Sequence, residues 1–267
     1  MMCLFTLQVE ASEMIRMATI NVLAMRQAFL IAYMTGVLWL RRNPMSLVFT
    51  AISPFSLLFV LFVVSGGILV VPAVVGSLVM ALVGYGLALG QDISFYKTEY
   101  KIQDVFVASP VSPLTYMMGL ALSELLFGLP ALIVLASLVL IFGASITSIP
   151  LLAATILLIW GSMSAMGFFL SSHMLHMRNA TQIISFVNVI LAILPPVFYP
   201  ITAMPEILRP LAYAVPTTHA SLILQYIMGN QEHIPAEWSL GFGFMVLIAY
   251  LVGFVTLART KAIWRES

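Results

Sequence analysis

Between Asn43 and Gln91 the chain runs for 49 residues without an Asp, Glu, Lys, Arg or His. No water-exposed surface is built from such a run, because soluble domains carry about a quarter charged residues. At ~1.5 Å per helical residue the run is too long for one crossing of a ~30 Å hydrocarbon core and suits two. Ser65-Gly66-Gly67, with Pro72 beyond it, is the natural break between them. The rest of the chain is similar, with 62% hydrophobic and 8% charged residues and a mean hydropathy of +1.09. The expected fold is therefore all-α and membrane-integral, since a lipid-exposed backbone must satisfy itself.

Apolar runs and turn residues place six transmembrane helices, at about 46–64, 69–90, 114–142, 151–172, 179–200 and 238–258. No repeat or linker divides residues 1–267, so one domain is expected. Before the first span, Glu10, Glu13 and Arg16 share a helix face. The uncharged part of the next segment, 27–40, has 14 residues, short of the roughly 20 that span. An amphipathic N-terminal helix lying in the interface is the expectation, with Trp39 and Arg41-Arg42 at headgroup level.

With six spans, ten of the eleven Lys and Arg residues fall on one side, and only Arg209 on the other. The positive-inside bias then puts both termini in the cytoplasm of a cell (plasma) membrane. The polar stretch 91–113, with Ile102, Val105 and Phe106 at helical spacing, falls on the cytoplasmic side as a short amphipathic helix. Outside lies Ile193–Ala220, which holds six of the fourteen prolines. No straight helix passes through it. It is also too apolar for a free loop, since Ile201, Ile207, Leu208, Leu211 and Tyr213 would face water. A re-entrant extracytoplasmic hairpin between helices 5 and 6 is expected, with Phe198, Tyr199 and Pro200 at the narrowing of an outer gate.

Several chemistries have no support. The dipeptide Gly-Lys never occurs, so there is no phosphate-cradling P-loop, and neither H-E-x-x-H nor G-x-S-x-G is present. With a single cysteine, Cys3, there is no internal disulfide. His173-Met174-Leu175-His176-Met177 could attract a copper reading. However, methionine is common throughout (17 residues), and no metal site is expected. Glu124 is the one clear ionisable residue inside a span, near the midplane or shallower. It either lines a path or bonds a neighbouring helix.

Two stretches together resemble the permease subunits of type 2 ATP-binding-cassette exporters. One is Tyr100–Val107 followed by Ser109-Pro110-Val111-Ser112-Pro113, and the other combines Phe198-Tyr199-Pro200, Met204-Pro205, Leu211-Ala212-Tyr213 and Pro216-Thr217-Thr218. The resemblance implies no enzymatic activity and no cofactor on this chain, with ATP used by a separate cytosolic ATPase subunit. It implies docking through Glu99, Lys101, Ile102, Asp104, Val105 and Phe106, the apolar residues entering a groove and the charged ones setting orientation. The partners would be that ATPase, a second permease chain and membrane lipids, and no nucleic acid. An ATP-independent carrier or channel, and a non-transporting membrane assembly factor, are the rival readings.

Overall fold

The computed structural model describes residues 22–67, 70–101, 105–106, 108–141, 146–174, 176–231 and 234–261. Glu10, Glu13, Arg16, Ile102 and Asp104 lie outside the described residues. Every regular element described is helical. The long helices are α1 (Val22–Arg42), α2 (Met45–Val64), α3 (Val70–Thr98), α4 (Pro113–Ile141), α5 (Ile149–Ser172) and α6 (Met177–Ile193). After single 3₁₀ turns at Ile201–Ala203 and Glu206–Leu208 come the short α7 (Arg209–Tyr213), α8 (Pro216–Ile227) and α9 (Leu240–Lys261). Among the described residues, α1, α3, α4, α5 and α9 are long and apolar enough to cross a membrane.

The breaks follow turn chemistry. Gly66 (φ 59°) and Gly67 (φ 88°) take the left-handed conformation that closes the α2–α3 turn. Proline stands in the first turn of α4, α5, α7 and α8, where its missing N–H costs nothing. Two boundaries differ from the sequence expectation. α3 runs eight residues past Gly90, because Gln91–Thr98 is polar but holds no glycine or proline to stop it. α6 ends at Ile193, ahead of Pro195-Pro196, rather than at 200.

α3 is the central rod. It is antiparallel to α4, with Tyr85 against Gly128 and Asp92 against Glu124. It is parallel to α5, with Gly86 at Met163 and Ser164, and Gly90 at Gly167. The Gly86-x-x-x-Gly90 pair thus lets backbones touch: a Cβ on Gly90 would stand 2.6 Å from the Gly167 carbonyl oxygen. Farther along α3, a Cβ on Gly76 would collide with the Phe198 ring.

The 14-residue uncharged segment expected at 27–40 is part of one 21-residue helix, α1, with a π-helical stretch at Tyr33–Val37. Its buried stripe of Ala28, Ile31, Ala32 and Gly36 rests on α4. Ile31 meets Gly119, Gly36 meets Ser123, and the Trp39 and Phe127 rings are 5.4 Å apart, so α1 and α4 run the same way. α2, which turns back tightly into α3, also runs with α4. Between α1 and α2 stand only Asn43 and Pro44, reaching about 7 Å. That link cannot return across a ~30 Å core, so α1 and α2 are not both full crossings.

Candidate functional site: the two ends of the central rod

One end of the bundle carries Lys97, Lys101, Arg178, Arg259 and Lys261. Here the serines of the Ser-Pro-x-Ser element have clear work. Ser109 Oγ donates to the Phe106 carbonyl at 2.7 Å, closing the preceding turn. Ser112 Oγ accepts from the Thr115 N–H at 3.1 Å and so caps the start of α4. Lys101 takes φ 52°, unusual for a side chain with a Cβ, as the chain leaves α3.

Among the described residues, the expected docking positions Glu99, Lys101, Val105 and Phe106 do not share one face. Val105 is 68% exposed. Phe106 instead packs against the buried Tyr116 of α4, with ring centroids 5.0 Å apart. Glu99 and Lys101 are exposed at the exit of α3. A displacement of this loop therefore reaches α4 through the Phe106–Tyr116 contact and the Ser112 cap.

Two turns above Tyr116 is Glu124, buried against α3. Its carboxyl lies beside that of half-buried Asp92, within interaction reach across the α3–α4 contact. Asp92, charged and just past the apolar run, is the partner that the sequence reading left unassigned. Glu124 is 17 residues from Ile141 and Asp92 is 22 from Val70, about 26 Å and 33 Å along their helices. Measured against a ~30 Å core, the pair belongs near the basic end and not at the midplane.

At the opposite end the proline-rich segment folds against α3, α8 and α9. Val197, Phe198 and Ile201 are buried, and Tyr199 and Pro200 half-buried. Ile207, Leu208 and Leu211 are exposed on the single chain, so burial covers part of the expected hairpin. Prolines and turns free backbone carbonyls, and α8 satisfies them. Thr217 Oγ1 donates to Leu191 O at 3.4 Å, Thr218 Oγ1 to Ala212 O at 2.6 Å, and Ser221 Oγ to Val197 O at 3.1 Å. His219 Nε2 donates to Tyr213 O at 2.8 Å, while its Nδ1 accepts from Trp238 Nε1 at 3.2 Å. Indole nitrogen only donates, so this ring is neutral with its proton on Nε2. Burial pushes the His219 pKa down, and the bond to Tyr213 partly offsets that. Burial chiefly, with Glu237 adding, pushes the Tyr213 phenol up. Apart from Leu211-Ala212-Tyr213 and Pro216-Thr217-Thr218, this set escaped the sequence reading, because the bonded partners sit in separate elements.

α6 carries the other missed feature. Its buried face is Ala180, Ile184 and Leu191, the first two a helical turn apart. Its other face shows Arg178, Gln182 and Ser185 exposed, with half-buried Asn188 continuing the row. Spacings of four, three and three make these one stripe. The carboxamide oxygen of Asn188 has no hydrogen-bond partner within the described chain. The periodicity was readable from Arg178, Gln182, Ser185 and Asn188 alone.

Comparison with known families decides the identity. A family model described as ABC-2 type transporter matches residues 5–229. The chain belongs to the ABC-2 type transporter family. No curated protein was found to match it. As a type 2 ABC permease subunit it is a membrane transport component rather than a catalytic one, of a family that normally works with a nucleotide-binding partner. In that family setting the multi-pass helices form the membrane component.

Proposed function

We propose that the chain is the permease subunit of an ATP-driven exporter, working as a dimer in the plasma membrane with both termini in the cytoplasm. The observation that carries this is the polar stripe of α6. Gln182 and Ser185 are exposed on the single chain and cannot face lipid tails without loss, so they face protein or a water-filled path, while Asn188 continues the row with its carboxamide oxygen buried in the chain. A second copy across a two-fold axis would cover the stripe and enclose the path.

In this reading α2 and α6 complete a six-span set, and α1 rests at the cytoplasmic interface. The ATPase subunit engages the loop through exposed Val105, with Ile102, Glu99, Lys101 and Asp104 completing the contact. Phe106 anchors the loop to Tyr116, so ATP-driven movement passes to α4 and, through Glu124–Asp92, to α3. The far end of α3 holds Phe198 at Gly76, which couples the rod to the outer gate of Phe198, Tyr199 and Pro200. Coexpression with a cassette ATPase tests this. Val105→Asp should lower substrate-stimulated ATP hydrolysis at least about tenfold, a loss of ~1.4 kcal/mol, with membrane insertion unchanged. Full coupling by that variant would overturn the docking assignment.

A further inference from the structure

At the end of the bundle away from the basic loops, a cavity of about 100 Å³ is lined by Tyr213, Glu237, Trp238 and Phe242. Three aromatic residues, Tyr213 from α7, Phe242 from α9 and Trp238 from the link just before α9, thus surround a space with one carboxylate at its edge. Trp238 is buried and Tyr213 half-buried, while Glu237 and Phe242 form an exposed rim. We propose that this cavity binds an onium group, a quaternary ammonium or a protonated amine, held by ring faces and by the Glu237 carboxylate.

The walls are set before any ligand arrives. His219 stands behind them, fully buried. It takes the Trp238 N–H, gives its own N–H to the Tyr213 carbonyl, and lies 5.2 Å from the Phe242 ring at 80°. One uncharged imidazole therefore holds the Trp238 indole by a hydrogen bond, anchors the Tyr213 backbone and packs against the Tyr213 and Phe242 rings, and adds no competing cation. Arg209, whose field reaches Tyr213, is turned elsewhere. Its guanidinium bonds the Met204 and Thr202 carbonyls at 3.2 and 3.3 Å and pairs with Glu206 at 3.8 Å. A plain aromatic belt at the membrane surface accounts for Trp and Tyr at this level. It does not account for their convergence on one concavity beside a carboxylate.

The onium group could belong to the choline headgroup of a lipid or to a free cationic amphiphile. Choline itself is the probe, with neutral 3,3-dimethylbutan-1-ol as its isostere, measured by equilibrium binding to the full chain in uncharged maltoside micelles. Choline should saturate at one per chain and bind about tenfold or more tighter than the isostere, a difference of ~1.4 kcal/mol. Glu237→Gln, at the exposed rim, should weaken choline severalfold without shifting the thermal midpoint, and Phe242→Leu, which keeps an apolar side chain against His219, should also weaken it severalfold. Added phosphatidylcholine, but not phosphatidylglycerol, should displace choline if the source is lipid. Choline binding indifferent to both lipids assigns the site to a free cation. Equal binding of the neutral isostere, no saturable choline binding, or an unaffected Glu237→Gln would overturn the proposal.

Discussion

The indole of Trp238 donates to Nδ1 of His219 at 3.2 Å, which ties the segment just before α9 to the first turn of α8. The bond exists only while Nδ1 is unprotonated. Burial holds the His219 pKa below its ordinary value in the folded chain. A group with a lowered folded pKa contributes full stability above its unfolded pKa and loses it as pH falls below that value. The thermal midpoint should therefore hold down to the ordinary histidine value near 6.5 and drop over the pH range below it. Trp238→Phe should cost about 1 kcal/mol at pH 7.5 and shrink the acid-side drop. A midpoint that is flat across this range in the unaltered chain would refute the assignment.

Gly90 and Gly84 sit in the same rod and should respond in opposite ways. A Cβ on Gly90 would press into the Gly167 carbonyl and the Ile184 side chain, whereas one on Gly84 has nothing within 4 Å. Overpacking costs about 1–3 kcal/mol, while Gly→Ala in an open helical site gains up to about 1 kcal/mol. Gly90→Ala should lower the thermal midpoint in detergent and Gly84→Ala should hold or raise it. The reverse order would mean that α3 and α5 do not meet along the Gly86–Gly90 seam.

Local grammar in the sequence anticipated much of this fold. Gly66-Gly67, Pro113, Pro150 and Pro216 mark element boundaries because each alters the backbone itself. Features set by distant packing were less legible. Gln91–Thr98 reads as a polar stretch beyond a span ending at 90, yet charge does not stop a helix when no breaker follows. The Asp92–Glu124 contact depends on how α3 crosses α4, and neither helix alone encodes it. Phe106 and Val105 are adjacent and equally apolar, so only the position of Tyr116 separates anchor from exposed knob. His219 looked like one residue in a Pro-Thr-Thr-His run until Tyr213 and Trp238 closed around it.

The α6 stripe gives the most direct test of assembly. If a second copy covers Gln182 and Ser185, each position faces its own mate near the two-fold axis. With the single native Cys3 replaced by serine, Gln182→Cys and Ser185→Cys should form cross-linked dimers in membranes under mild oxidation. Their mass would be twice the 29.2 kDa chain. Met245→Cys, on the exposed face of α9, should remain monomeric under the same oxidant. Cross-linking at Met245 with none at Gln182 or Ser185 would move the interface to α9. The polar row of α6 would then need another partner. Leucine at 182 and 185 adds the functional arm: it should leave insertion intact and reduce transport, because it removes the row's polar groups from a path meant to stay wet.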